Sequence, residues 1–89
     1  MIVEYDKSFE KSLDKIKNKS LFQRIEKIVL DFEKAKSLTE LPNIIKLTGY
    51  KYYYRLRIGE YRVGFEKINE NVLRFIIVAH RKDIYKLFP

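Results

Sequence analysis

At 89 residues and without cysteine, the chain can build one modest hydrophobic core and can neither brace it with disulfides nor hold a metal through thiolates. Its apolar share of 46% and aromatic share of 15% exclude a disordered tail. The net charge of +7 is unevenly placed: residues 1–45 hold nine Lys/Arg against eight Asp/Glu, whereas residues 46–89 hold ten against four. The excess in the second half favours a polyanionic partner there.

In chain order, Ile2, Val3 and Tyr5 predict a short strand within residues 1–5, and Asp6 is placed to cap a first helix. Phe9, Leu13 and Ile16 fall on one face of that helix. Asn18-Lys19-Ser20 breaks the pattern, and Ser20 is the expected cap of a second helix running to about Lys36. Its buried stripe is Leu21, Ile25, Ile28, Val29 and Phe32. Residues 37–43 are expected as a packed loop, and Lys46-Leu47-Thr48-Gly49 leads into strands at about 51–58, 60–68 and 72–79. The first strand needs a ladder, and the last part of the sheet is its expected partner. The expected fold is α+β: an N-terminal αα-hairpin packed on one face of a mainly antiparallel, about four-stranded sheet, in a single domain spanning residues 1–89.

The hairpin from Tyr52 to Phe65 holds the unusual feature. A loop at Ile58-Gly59 sets Arg55 across from Arg62; a loop at Gly59-Glu60 sets Arg57 across from Arg62. Like charges directly opposite on a sheet cost stability. A three-residue turn at Asn69-Glu70-Asn71 pairs Phe65 with Phe75, Val63 with Ile77 and Glu66 with Arg74, the register that keeps the apolar residues together. Tyr54, Leu56, Val63, Phe65, Leu73, Phe75 and Ile77 then face the helices. Tyr53, Arg55, Arg57, Arg62, Gly64, Arg74 and His80 share the other face, where Gly64 leaves room for a ligand or marks a bulge. Arginines beside Tyr53 suit phosphates and stacked bases; the plain alternative is a basic solvated face. Arg74 is expected to pair with Glu66, and a structural His80 to bond Glu60.

The αα-hairpin, the Lys46-Leu47-Thr48-Gly49 lead-in, the Tyr54-Arg55-Leu56-Arg57…Tyr61-Arg62 hairpin and the ending Val78-Ala79-His80-Arg81-Lys82-Asp83-Ile84-Tyr85 together resemble the RelE/ParE superfamily, the toxins of type II toxin–antitoxin pairs. The resemblance spans essentially the whole chain and is closest to RelE-type ribosome-dependent mRNA endonucleases. It implies a metal-free and cofactor-free site on the sheet face, with a cognate antitoxin, the ribosome and mRNA as partners. Arg55 stands where the family has a strand lysine that activates the 2′-hydroxyl or stabilises charge. Arg62 matches the arginine on the scissile phosphate, Arg81 the arginine after the last strand, and Tyr85 the tyrosine that stacks on a base or assists proton transfer.

The family's second lysine is Tyr53 here, which leaves Lys51 and His80 as candidates for a general base, His80 because imidazole is the side chain most often used for that role. Lys51, Tyr53, Arg57 and Lys82 are the expected RNA contacts. Two other functions share the fold: a ParE-like gyrase-inhibiting toxin and a non-catalytic binding module. Met1–Asp6 has no basic or apolar leader pattern, and the uncharged apolar run Phe75–Ala79 is too short to span a bilayer. A cytoplasmic protein with no membrane partner is expected.

Overall fold

A computed structural model describes residues 1–89. The chain runs β1 (Ile2–Tyr5), α1 (Lys7–Ile16), α2 (Lys19–Lys34), a 3-10 turn (Leu38–Glu40), β2 (Ile44–Lys46), β3 (Tyr53–Ile58), β4 (Tyr61–Asn69), β5 (Val72–His80) and α3 (Ile84–Leu87). One five-stranded sheet has the order β1-β5-β4-β3-β2, with β1 parallel to β5 and the other neighbours antiparallel. The expected α+β fold is present, with β1 on β5, and β2 adds a fifth strand where only a lead-in was expected. No helix is long and apolar enough to cross a membrane.

Asp6 caps α1, its side chain accepting from the Ser8 N–H at 3.3 Å. Asn18 and not Ser20 caps α2, accepting from the Leu21 N–H at 3.0 Å. With Lys17 in the left-handed conformation at φ 51°, the chain turns within two residues, and Asn18 is the first side chain able to reach back. Phe9, Leu21, Ile25 and Phe32 from the helices meet Leu56, Ile58, Val63, Phe65, Leu73, Phe75 and Val78 from the sheet. Each such side chain contributes about 1.5–3 kcal/mol on full burial. The Phe32 ring meets Phe65 and Phe75 edge-on at 5.8 and 5.6 Å, a favoured aromatic geometry.

Two bulges decide which residue faces where. The β4–β5 turn is the two-residue Glu70-Asn71 with Ile68 left over on β4, so Phe65↔Phe75 and Glu66↔Arg74 stand as expected. A second extra residue, Ile76, lies on β5, and beyond it Gly64 faces Ile77, Val63 faces Val78 and Tyr61 faces His80. One inserted residue reverses every later side chain. Val78 therefore takes the core place expected for Ile77, and His80 moves to the helix side.

The bulge is held from α1. β1 covers β5 only to Phe75; beyond it the Ser8 hydroxyl reaches the Ile76 carbonyl, and the Ser12 hydroxyl accepts from the Val78 N–H at 3.0 Å. Two serines one helical turn apart thus do the work of an edge strand. Arg74 lies opposite Glu66, yet its ion pair is with Glu4, its neighbour on β1, at 3.1 Å. The parallel strand brings that carboxylate alongside, which corrects the expected Glu66 pair.

The face away from α1 and α2 is not open along its length. After β5 the chain folds back, and Ile84 and Phe88 bury themselves against Leu47 and Ala79 as a second cluster, with Tyr53 and Ile77 at its border. Phe88 lies on the bare backbone of Gly64: a methyl group added there would stand 2.5 Å from the Phe88 Cγ. The gap expected for a ligand is filled by the chain itself.

Two predictions follow from these contacts. Gly64→Ala should destabilise the fold by about 1–3 kcal/mol through overpacking, and Phe88→Ala by roughly 3 kcal/mol. In the double variant most of the Gly64→Ala cost should vanish, because the ring it strikes is gone; additive costs in chemical denaturation would contradict the contact. The second concerns acid. The Ser8 hydroxyl first, and its backbone N–H second, hold the Asp6 carboxyl below the usual carboxylate range. A folded-state pKa below the unfolded one stabilises above the unfolded value and is lost as pH falls through the folded value. Asp6→Ala should therefore lower stability at neutral pH, with the difference from the natural chain closing in acid. A difference independent of pH would refute the linkage.

Candidate nucleic-acid interface

The two-residue loop is Gly59-Glu60, closed by the Ile58↔Tyr61 pair, so Arg57 opposes Arg62 and Arg55 opposes Gly64. Gly59 takes φ 58° at the first loop position, the place a two-residue hairpin turn reserves for glycine. The Arg24 guanidinium from α2 lies close over it; a methyl group there would be 2.7 Å from the Arg24 Nη1. The Arg57 N–H donates to the Asn43 carbonyl on the β2 side at 2.9 Å. Arg57 and Arg62 are therefore a non-hydrogen-bonded cross-strand pair, the kind that brings side chains closest.

A cleft of about 380 Å³ opens on this face, lined by Asn43, Ile44, Ile45, Arg55, Arg57, Arg62 and Tyr85. Three strands contribute walls: Arg55 and Arg57 from β3, Arg62 from β4, Ile44 and Ile45 from β2, with Tyr85 from α3. The Arg55 guanidinium lies under the Tyr85 ring, 4.4 Å from its centroid, within cation–π range. The Arg55 Nε is buried and has no hydrogen-bond partner in the protein. Arg62 Nη1 donates to the Gly59 and Tyr61 carbonyls at 2.8 and 2.9 Å. Arg57 Nη2 donates to the Asn43 Oδ1 at 3.0 Å. None of these cleft arginines is neutralised by a carboxylate ion pair, so the cleft carries concentrated positive charge.

Of the residues expected at the site, Arg55, Arg57, Arg62 and Tyr85 meet in the cleft. Arg81 stands at the hairpin tip, its backbone N–H on the Glu60 carbonyl at 2.8 Å and its Nε on the Glu60 carboxylate at 3.2 Å. It thus holds the loop residue next to the one Arg62 holds. His80 lies on the helix side through the Ile76 bulge, beside Tyr61, with its Nε2 3.6 Å from Glu60 and its Nδ1 accepting from the Lys82 N–H at 3.2 Å. Both ring nitrogens thus have partners, and the expected place on the arginine face is corrected. Lys82 is exposed in the turn after β5.

Tyr53 is not free for a base, because its ring packs on Phe88 at 5.4 Å and on Tyr50 at 5.5 Å. Lys51 precedes β3, sits over the Tyr52 ring at 5.7 Å and borders a separate hollow with Lys46, Tyr54 and Lys67. It therefore does not replace the missing lysine in the cleft. The β2 wall was missed: Asn43-Ile44-Ile45 follows Pro42, and the β-branched pair after a turn residue was its only signal.

Residues 3–85 match the family model described as ParE toxin of type II toxin–antitoxin system, parDE. The chain is 39% identical to toxin RelE3 of Methanocaldococcus jannaschii over 90 residues, covering 100% of both. It superposes with a TM-score of 0.80 and 37% identity on a chain of the RelB–RelE antitoxin–toxin complex from Methanococcus jannaschii, covering 97% of this chain and 99% of that one. YafQ from E. coli strain BL21(DE3) shares the fold alone, with a TM-score of 0.62 at 15% identity over 93% of this chain and 96% of its own. Helices on one face of the sheet, an arginine cleft on the other and whole-length similarity agree, and the chain belongs to the RelE/ParE superfamily of type II toxin–antitoxin toxins.

Proposed function

We propose that this toxin is a ribosome-dependent mRNA endonuclease that cleaves in the A site by attack of the RNA's own 2′-hydroxyl. The observation that carries this reading is the meeting of Arg55, Arg57 and Arg62 with the Tyr85 ring in one cleft. The 2′-oxygen bonds to the adjacent phosphorus and the bond to the 5′-oxygen breaks, leaving a 2′,3′-cyclic phosphate and a 5′-hydroxyl. One proton leaves the 2′-oxygen and one reaches the 5′-oxygen, so no co-reactant is needed. The protein's task is to position the RNA and to stabilise the phosphorane charge, which preorganised guanidiniums can do without a metal.

Among the cleft-lining residues, Tyr85 alone has a hydroxyl that both accepts and donates a proton. It is 72% exposed and held by Arg55 beneath its ring. We assign it the proton transfer and Arg62 the scissile phosphate; Arg81, paired with Glu60 at the hairpin tip beside the cleft, would join Arg62 on that phosphate by leaving Glu60. The matched RelB–RelE structure supports an antitoxin partner for this chain as well. A partner rich in acidic residues would cover the basic face or displace the C-terminal segment, and its association rate would fall with salt.

The description of the matching family model as a ParE toxin favours a second reading, gyrase inhibition. A DNA supercoiling assay beside primer extension on ribosome-bound mRNA separates the two.

Arg62→Ala should slow mRNA cleavage by on the order of 10²–10³. Its stability should change by less than about 1 kcal/mol, since loss of the Gly59 and Tyr61 hydrogen bonds is offset by relief of the Arg57 repulsion. Arg81→Ala should act likewise on rate. Tyr85→Phe, which keeps the ring over Arg55, should still lose about 10²-fold. Full activity in the Arg62→Ala, Arg81→Ala double variant would end the assignment, and full activity in Tyr85→Phe would reduce Tyr85 to a stacking platform.

A further inference from the structure

Arg57 stands directly across from Arg62 as a close cross-strand pair, an arrangement that costs stability unless something else requires it. The two side chains are anchored in different directions. Arg62 is turned to the loop by the Gly59 and Tyr61 carbonyls, and Arg57 is turned to β2 by Asn43. Asn43 holds Arg57 twice, through its carbonyl to the Arg57 N–H at 2.9 Å and through its Oδ1 to the Arg57 Nη2 at 3.0 Å. It does so from φ 65°, a left-handed conformation that asparagine tolerates better than most residues. The anchor occupies one Nη of Arg57 and leaves the rest of the guanidinium for a ligand, in a cleft bordered by Arg55 and Tyr85.

We infer that Asn43 is a positioning residue that aims Arg57 at a phosphate flanking the scissile one, so that the cleft grips two consecutive phosphates of a single RNA strand. The inference rests on the endonuclease reading. Two anions in sequence explain why two like charges are held by different anchors in one cleft: a single phosphate would draw both guanidiniums together, whereas a strand offers one anion per nucleotide. The buried, unpartnered Arg55 Nε lies between β2 and β4, on the strand that separates them.

The test uses the whole toxin on mRNA-programmed ribosomes, with either phosphate flanking the cleaved bond made neutral as a methylphosphonate. For the natural chain, one of the two neutral mRNAs should be cleaved about tenfold more slowly, the loss of one charge-assisted contact. Arg57→Ala should be slower by a similar factor on ordinary mRNA and should lose nothing further on that neutral mRNA. Asn43→Gly, which tolerates the same left-handed backbone and removes the side-chain anchor while keeping the carbonyl, should show a smaller loss of the same kind. It should add nothing to Arg57→Ala in the double variant. A rate drop on the neutral mRNA that is equal in the natural chain and in Arg57→Ala would overturn the contact. Independent, additive effects of Asn43→Gly and Arg57→Ala would overturn the positioning role. Arg62→Ala distinguishes the levels: if it is inactive while Arg57 proves indifferent, only this inference fails. If Arg62→Ala cleaves normally, the assignment of the arginine cleft as the site fails, and if the natural chain cleaves nothing, the endonuclease reading fails; either result takes this inference with it.

Discussion

The ring of Phe88 lying on the backbone of Gly64 is the contact on which the functional face depends. Without a side chain at residue 64, β4 accepts an aromatic ring at van der Waals distance, and the last residues of the chain are pinned across the sheet. That pin carries α3 with it. Ile84 is buried, and Tyr85, one residue on, is left over the Arg55 guanidinium. A flat basic sheet face thereby becomes a cleft with an aromatic wall, placed at the hairpin end where Arg57 and Arg62 stand. The second core is small, only four buried residues against eleven on the helix side, so fewer apolar contacts hold this wall than hold the helices.

The other side of the sheet supplies the stability that lets the arginine face be unfavourable. Phe32 of α2 packs edge to face on Phe65 and Phe75, and Phe9 continues the aromatic row from α1. Against this core, a cross-strand arginine pair and an unpartnered buried Nε are tolerable local costs. Glu60 tempers the charge at the hairpin tip through Arg81 and does not enter the cleft. The larger core thus lies on the helix side of the sheet and the arginine cleft with the smaller core on the other, and the parity of each strand position decides which side chain goes where.

Parity also explains what could be read in the sequence. The amphipathic stripes of α1 and α2 and the alternation of β3 and β4 were legible because period and burial agree there. The arginine hairpin was legible for the same reason, once the Gly59-Glu60 loop was among the alternatives. The faces of Ile77 and His80 were not, because one extra residue on β5 reverses the alternation, and its cause, serine hydroxyls on a distant helix, has no local signature. Gly64 signalled both a close approach and a register shift, which falls at Gly64/Phe65, but a glycine does not say what approaches it or which strand carries the extra residue. The Glu4–Arg74 pair and the β2 wall are likewise products of strand order, which local patterns do not specify.

In the proposed reaction the RNA's own 2′-hydroxyl is the nucleophile and the arginine cleft stabilises the charge that develops. The most direct measurement is cleavage of ribosome-bound mRNA in which the nucleotide 5′ to the cut carries a single 2′-deoxy substitution. Loss of the cut at that bond, with cleavage of unmodified mRNA in the same ribosomes intact, is the expected result. Cleavage of the deoxy-substituted bond at an undiminished rate would contradict the account.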